Sequence, residues 1–246
     1  MQKYEKYLKA ENVSVPDDIR LKLKNGGGIT PVLFSSKDVI LSSSDMWYDA
    51  GYTKLSDGNM LVSMYCEMPG ITEEMIKWWF HWHPKESARY KLWFPGEHFA
   101  ISYSRRNKEY FSSEAVPDFE ENTHYPVEKI GNAVLPLEIR FVSPESFGFS
   151  EKALRESGDP LIISGHVGVF RGLVRHTEMA HIFLKTEKGL LLVSRFWIGA
   201  LLKTELMRKI IANENIASGM AEHCFIEYRN LAKKLPELYK EFNGTY

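Results

Sequence analysis

The C-terminal part of the chain contains the pair of side chains best placed for metal chemistry. His223 and Glu227 lie four residues apart in the segment IASGMAEHCFIEY. Residues i and i+4 of an α-helix lie one above the other, so both side chains would reach the same point. An imidazole and a carboxylate paired in this way can hold a divalent ion, as in zinc-binding helices. The alternative is a buried hydrogen bond between them, and this spacing alone does not decide between the two.

The predicted helix around this pair is amphipathic. At about 100° per residue, one face collects apolar side chains. They are Ile216, Met220, Cys224, Leu231, Leu235, Leu238 and Phe242. Glu227 falls within this face and His223 at its edge. A carboxylate buried among apolar groups is costly unless it is paired or bound to a cation, which favours a ligand role. Lys234 also falls near this face, and Pro236 predicts a kink beyond it.

A second group of candidate side chains lies in RYKLWFPGEHFAISYS, residues 89–104. His98 stands where an irregular Pro-Gly stretch enters a predicted strand, a position from which a histidine can face a cavity and ligate an ion. His81 and His83 are rival ligands. Two residues apart on a helix, their side chains point about 200° apart and cannot serve one ion. We therefore interpret His81 and His83 as structural.

Several carboxylates between these segments could complete the site. The candidates are Glu114, Glu120, Glu121, Glu128 and Glu138. Glu120 and Glu121 lie in the polar loop DFEENTH, which favours solvent exposure. Glu128 has apolar Val127 and Ile130 nearby, which suits the edge of an element that faces a core. We choose Glu128 as the further ligand, with Glu114 as its alternative.

The elements that must position these residues predict an α+β fold. Thr72 is placed to cap a helix over ITEEMIKWWFHW, which ends before Pro84. Strands are predicted over residues 99–104, 133–142, 160–169, 179–186 and 190–197. Glu187-Lys188-Gly189 predicts a hairpin between the last two, and His181 in this hairpin reads as a core histidine. A helix is expected from about residue 202 to the end. Strands that follow one another in this way favour an antiparallel meander.

Composition excludes several classes of function. Of 246 residues, 44% are hydrophobic and 26% charged, as in a globular protein. Lys plus Arg total 31 against 32 for Asp plus Glu, a net charge of −1 with no basic stripe for a nucleic acid. Apolar runs are far shorter than the roughly 20 residues that cross a membrane. The N-terminus lacks a secretory apolar region, and Cys66 and Cys224 form no CxxC pair, so a cytoplasmic protein is expected.

Several motifs occur together in a defined order between about residues 70 and 230. They are WWFHWH, RYKLWFPGEHF, VEKIG, AHIFLKTEKGLLLVSRFWIG and HCFIEY. In this combination the chain resembles the diacetylphloroglucinol hydrolase and phloretin hydrolase family. The resemblance implies a Bet v 1-like helix-grip fold, in which a curved antiparallel sheet wraps around a long C-terminal helix. It also implies a small N-terminal part, residues 1–68, used partly in dimerisation, before a catalytic domain of residues 69–246. A homodimer is therefore expected.

The resemblance further implies a reaction and a site. Members of this family cleave the carbon–carbon bond between an acyl group and a polyhydroxylated aromatic ring, and they hold zinc with two histidines and two glutamates. The matching positions here are His98, Glu128, His223 and Glu227. Tyr90 and His181 match residues that contact the phenol hydroxyls. The aromatic walls that exclude water and stack on the ring are expected from Trp78, Trp79, Trp93 and Trp197.

One position departs from the family pattern. Phe196 stands in SRFWIG where a substrate-contacting tyrosine is expected, so the substrate need not be an acylphloroglucinol. Phe196 could instead pack in the hairpin core, pointing away from the cavity. Two other functions stay open at this point. One is a helix-grip protein that binds a hydrophobic or aromatic small molecule without chemistry, and the other is a zinc hydrolase of aryl esters or lactones.

Overall fold

The computed structural model describes residues 2–26 and 28–244. The α-helices in these residues are α1 (Glu5–Leu8), α2 (Asp17–Lys24), α3 (Val39–Ser42), α4 (Glu73–Trp82), α5 (Ser87–Trp93), α6 (Lys108–Ser112), α7 (Pro144–Phe147), α8 (Glu151–Glu156), α9 (Glu205–Ile211) and α10 (Glu214–Phe242). The strands are β1 (Gly51–Lys54), β2 (Met60–Pro69), β3 (His98–Ala100), β4 (Asn122–His124), β5 (Val127–Ile130), β6 (Ala133–Val142), β7 (Leu161–Val169), β8 (Val174–Thr186) and β9 (Gly189–Ile198).

The strands form one antiparallel sheet, which confirms the α+β prediction. Its order is β1-β2-β9-β8-β7-β6-β5-β3, and β4 also pairs with β6. The predicted hairpin is confirmed, because Thr186 pairs with Gly189 across the two-residue turn Glu187-Lys188. Gly189 has a φ of 144°, which a residue without a Cβ adopts most easily. Long antiparallel strands joined by short turns make a rigid support for side chains on either face.

Strand β3 is shorter than the predicted strand at residues 99–104. The pairing with β5 shifts register between His98 and Ala100, so the regular ladder ends there. The chain nevertheless stays beside its neighbour, since Ser102 and Tyr125 exchange backbone hydrogen bonds of 3.3 and 2.7 Å. As a result, His98 begins a short strand that is hydrogen-bonded to the neighbouring segment both before and after the register shift.

The helices largely follow their predicted signals. Thr72 caps α4 by accepting a hydrogen bond from the Met75 backbone N–H, as predicted. The single helix expected from residue 202 is wrong, because the chain breaks at Ala212 between α9 and α10. Asn213 then caps α10 with its own side chain, which accepts from the Ile216 N–H. Pro236 does not end α10, which continues to Phe242.

The long helix α10 packs on β1 and β2 and against α4 and α5. Its predicted apolar face is buried at Cys224, Leu231, Leu235 and Leu238. Ile216 is 37% exposed, contrary to the prediction, because the buried line runs instead through Ala217 and Ala221. Lys234 is buried as well, and its ammonium donates a 2.9 Å hydrogen bond to the Leu92 carbonyl. A long C-terminal helix on a large antiparallel sheet is compatible with a helix grip.

The opposite face of the sheet is also covered. Leu61, Ile182, Leu191, Val193 and Trp197 pack there against residues from the N-terminal part and from α7, α8 and their flanks. The boundary expected between residues 68 and 69 falls inside β2, which pairs with β9 from Met60 to Pro69. Residues before the boundary therefore build part of the sheet that carries the site. Their role in dimerisation stays a prediction.

Candidate metal centre and cavity

Four predicted ligands come together at one end of the sheet. His98 is the first residue of β3, and its Cα is paired with that of Glu128 in β5. His223 and Glu227 project one turn apart from α10. The structure therefore brings the helix pair and the strand pair to a single point, although they are about a hundred residues apart in the sequence.

The donor atoms of this cluster lie close together. The Nε2 atoms of His98 and His223 are 3.3 Å apart. Glu128 Oε2 lies 3.5 Å from His98 Nε2 and 4.0 Å from His223 Nε2. Glu227 Oε2 lies 3.7 and 3.8 Å from the same two nitrogens. Ligand atoms about 2.0–2.2 Å from a tetrahedral zinc are about 3.3–3.6 Å from one another. The contacts of His98 Nε2 with His223 Nε2 and with Glu128 Oε2 lie in that range, and the other three are slightly longer. His98, His223 and Glu227 together form a group that could hold a metal ion.

Burial gives the two histidines of the cluster the protonation state that a metal site requires. His98, His223 and Glu227 are each at most 8% exposed. Burial lowers the pKa of His98 well below its usual value, and the nearby His223 lowers it further. Burial also lowers the pKa of His223, against an opposing effect of Glu128. Both imidazoles are therefore neutral at pH 7, which is the form that ligates metals.

The carboxylate of Glu227 on α10 also favours a bound cation. Burial raises the pKa of Glu227 well above its usual value, and the negative charge of Glu128 adds to the increase. Two carboxylates and two neutral imidazoles around one point carry an uncompensated negative charge when both acids are ionised. A divalent ion would balance that charge, so the donor set fits a metal such as zinc.

Neighbouring groups hold the ligands in position. His98 donates from Nδ1 to the Tyr90 carbonyl at 3.3 Å, which leaves the lone pair of Nε2 facing the cluster. The Tyr90 hydroxyl donates to Glu128 Oε2. The backbone of Lys129 contributes a hydrogen bond to His223. Each of these three ligands is therefore fixed by a second contact.

Two glycines let the strand and the helix approach each other beside the centre. Gly131 follows β5 with a φ of 59°, and Gly219 lies in α10 one turn before His223. A Cβ added to Gly219 would lie 3.1 Å from the Gly131 Cα. The backbone that carries Glu128 and the helix that carries His223 are thus in near contact.

The cluster opens into a cavity with largely aromatic and apolar walls. Tyr90, Trp93, His181 and Phe196 all line it, together with Glu128, His223 and Glu227. Each of these predicted substrate contacts is therefore next to the candidate metal centre. The Trp93 ring meets the His98 ring edge to face, with centroids 5.6 Å apart. An aromatic cavity beside a metal centre suits a planar ring as ligand.

His181 and Phe196 lie side by side on neighbouring strands. Their ring centroids are 5.4 Å apart, and His181 Nδ1 lies 2.8 Å from the Ser194 hydroxyl. Burial lowers the pKa of His181 to about 3, so this ring is neutral at pH 7. Phe196 lines the cavity, and the alternative that it points away is wrong.

Three of the four predicted tryptophan walls lie elsewhere. Trp197 is on the opposite face of the sheet, because side chains alternate along β9 and Phe196 takes the cavity face. Its Nε1 donates to the Val32 carbonyl at 2.8 Å. Trp78 and Trp79 contribute to the core between α4 and α10 rather than to the cavity beside the metal centre. Among the predicted tryptophans, Trp93 alone lines it.

The competing histidines and carboxylates have other partners. His81 Nε2 donates to the Tyr110 carbonyl and His83 Nδ1 to the Trp79 carbonyl, at 2.9 and 2.7 Å, consistent with structural roles. Glu114 is exposed, as are Glu120 and Glu121. Glu138 accepts two hydrogen bonds from Arg175. The structure therefore favours Glu128 over Glu114.

Two polar residues of the cavity were missed in the sequence. Tyr228 and His124 line it, and both are buried. Tyr228 could have been found from its spacing, because Cys224, Tyr228 and Leu231 follow one another along the buried helix face. No comparable signal marks His124, which reaches the cavity from the short strand β4. His83, interpreted as structural, also contributes to this wall.

The fold and the site define an α+β protein with a candidate metal centre in an aromatic cavity. The family model described as "DAPG hydrolase PhiG domain" matches residues 32–240. The chain therefore belongs to the diacetylphloroglucinol hydrolase and phloretin hydrolase family, as the motifs predicted.

Three proteins with related sequences are named as hydrolases of this family. The 2,4-diacetylphloroglucinol hydrolase of Pseudomonas protegens is 32% identical over 98% of this chain and 85% of its own length. A protein of the same name from Pseudomonas sp is also 32% identical, over 98% and 88%. The phloretin hydrolase of Eubacterium ramulus is 31% identical over 99% and 91%. These relatives are hydrolases named for acylated phenolic compounds. No helix among the described residues is long and apolar enough to cross a membrane.

Proposed function

We propose that this chain is a zinc-dependent hydrolase that cleaves the carbon–carbon bond between an acyl group and a polyhydroxylated aromatic ring. The observation that carries the proposal is the buried group of His98, Glu128, His223 and Glu227 beside an aromatic cavity, in which the two imidazole Nε2 atoms lie 3.3 Å apart and 3.5–4.0 Å from the carboxylate oxygens. In the reaction, the acyl carbon gains the hydroxyl of water and the ring carbon gains a proton. The products are a carboxylic acid and a deacylated ring.

Each part of the site has a distinct task in this reaction. The four ligands would hold zinc, which when bound lowers the pKa of a coordinated water and polarises a carbonyl. Trp93 and Phe196 pack on the aromatic ring and exclude bulk water. Ring hydroxyls stabilise the negative charge that appears on carbon as the acyl bond breaks. Groups that bind those hydroxyls therefore control the leaving ring.

Tyr90 and His181 are proposed to orient the ring hydroxyls. Burial raises the pKa of Tyr90 well above its usual value, so its hydroxyl keeps its proton. Since that proton is donated to Glu128 Oε2, the Tyr90 oxygen would accept a hydrogen bond from a ring hydroxyl. Neutral His181 can donate from one ring nitrogen and accept at the other. Together they can hold the ring while the proton moves to its carbon.

The first test of this function is metal content. We expect about one equivalent of zinc per chain in the purified, dialysed protein, because His98, His223 and Glu227 form a buried group that could hold a metal ion, and Glu128 lies beside it. Elemental analysis measures it. Well under half an equivalent of any metal in folded protein would favour a binding protein without chemistry. Iron or manganese would keep the site but weaken the zinc mechanism.

Phe196 provides a test of substrate preference. Phe196→Tyr should raise kcat/KM for polyhydroxylated acylphenols relative to less hydroxylated ones, because it adds a hydroxyl to the cavity wall. A neutral hydrogen bond is worth about 0.5–1.5 kcal/mol, so the ratio should rise roughly two- to tenfold. Steady-state kinetics of both proteins on both substrates measure it, with simple aryl esters as a third class. An unchanged ratio would mean that Phe196 has a packing role only.

We further propose a cytoplasmic homodimer that uses part of residues 1–68. Leu21, Val39 and Tyr48 in that segment are 62%, 40% and 52% exposed, which leaves apolar surface for a second copy. Sedimentation at several concentrations tests the dimer, and a monomer throughout would refute it.

The proposed compartment rests on the cysteines. Cys66 and Cys224 are free and buried, as in a protein kept reduced. Localisation of a tagged chain in cell fractions tests the compartment, and tag activity outside the cytoplasm would contradict it.

A further inference from the structure

Tyr228 has a hydroxyl with no assigned function. Its side chain lines the cavity, is 1% exposed and directly follows Glu227 in α10. The hydroxyl has no hydrogen-bond partner among the residues that the structure describes. Buried polar groups in folded proteins are nearly always paired, and an unpaired one is destabilising. A phenylalanine would fill the same space without that disadvantage, so the packing of the ring does not account for the hydroxyl.

The position of Tyr228 relates it to the departure at Phe196. The Tyr228 ring packs on the His181 ring with centroids 4.9 Å apart, while Phe196 contacts the same imidazole at 5.4 Å. Trp93 meets Tyr228 edge to face at 5.3 Å. Tyr228 and Phe196 therefore both pack against His181. Tyr228 carries a hydroxyl beside this histidine, and Phe196 does not.

We propose that the Tyr228 hydroxyl binds a hydroxyl oxygen of the aromatic substrate beside His181, and so supplies from α10 the contact that Phe196 does not make. This inference rests on the proposed function, because it takes a polyhydroxylated ring as the ligand. A tyrosine hydroxyl can donate one hydrogen bond and accept another, so it suits a phenol oxygen in either role. Tyr228 is then a residue that determines specificity.

The test compares Tyr228→Phe with wild type on two acylphenols that differ by one ring hydroxyl. The variant should lose two- to tenfold in kcat/KM on the more hydroxylated substrate and change little on the other. The double variant Tyr228→Phe with Phe196→Tyr should recover part of the loss, because it returns a hydroxyl to the other side of His181. Equal losses on both substrates, or none on either, would overturn the proposal.

Two measurements separate this inference from the proposed function. Titration with phloroglucinol, followed by tryptophan fluorescence, should show weaker binding to Tyr228→Phe than to wild type. If wild type neither cleaves acylphenols nor binds phloroglucinol, the proposed function fails as well. If wild type does both and the variant matches it, the role of Tyr228 alone fails. The variant should also melt at the same temperature as wild type or slightly higher, and a large fall would mean that the hydroxyl is structural.

Discussion

Replacing Glu227 or His223 by alanine is expected to lower turnover by more than about a thousandfold, because a bound metal supplies several kcal/mol of transition-state stabilisation. Both side chains belong to the candidate metal centre, and the apolar residues of α10 would still pack on the sheet. The fold should therefore persist. Kinetics measure turnover, elemental analysis measures the expected loss of metal, and circular dichroism measures the fold. Near-normal turnover by either variant would exclude that residue as a required ligand.

The remaining carboxylate offers a matched pair of variants. Glu128→Ala should lose metal and turnover as the helix variants do, since its Oε2 lies 3.5 Å from His98 Nε2. Glu114→Ala serves as the control and should behave as wild type, because Glu114 is exposed in a loop. The reverse result would assign the ligand to Glu114 and would require a different path for that loop.

Acid is expected to destabilise the protein through its buried histidines. The pKa values of His83 and His181 are lowered from 6.5 to about 3 by burial. The unfolded chain then binds more protons than the folded one between these pH values. Stability is fully present above pH 6.5 and is lost as the pH falls toward about 3, by about 1.4 kcal/mol per pH unit for each histidine.

His181→Gln isolates one of these two contributions. Its free energy of unfolding should fall less steeply between pH 6.5 and 5, by about 1 kcal/mol per pH unit relative to wild type, because an unfolded histidine is only half protonated at pH 6.5. Urea unfolding at several pH values measures both slopes, and the other titrating groups cancel in the difference. Leu173→Ala, at an 86% exposed position, is the control and should keep the wild-type slope. Identical slopes for His181→Gln and wild type would show that His181 is protonated in the folded protein.

Short-range periodicity predicted the helix pair of the candidate site, whereas the roles of Tyr90 and His181 came from the family resemblance. The helical spacing of His223 and Glu227 and the turn at Glu187-Lys188 depend on neighbours a few residues away. Strand alternation places Phe196 and Trp197 on opposite faces of the sheet. Which of the two faces the cavity could be decided only from the folded sheet. The break at Ala212 was missed, although Asn213, a residue type common at helix N-caps, follows it directly.

The least predictable features depend on residues far apart in the sequence. β2 pairs with β9 over ten positions, yet no local sequence feature of Met60–Pro69 predicts that pairing. The N-terminal segment covers the sheet face opposite α10. The packing partners of its apolar residues could therefore be assigned only once the sheet was known to have two buried faces. The unpartnered hydroxyl of Tyr228 became visible only when α10 lay beside His181.

The near contact of Gly131 and Gly219 joins the two elements that carry the candidate metal centre. It lies between the strand that bears Glu128 and the helix that bears His223, and a methyl group added to Gly219 would require a shift of a few tenths of an ångström. Ligand distances in a metal site are expected to hold within about 0.2 Å. A single methyl group on Gly219 would therefore move the helix by as much as such a site tolerates, with all four predicted ligands unchanged.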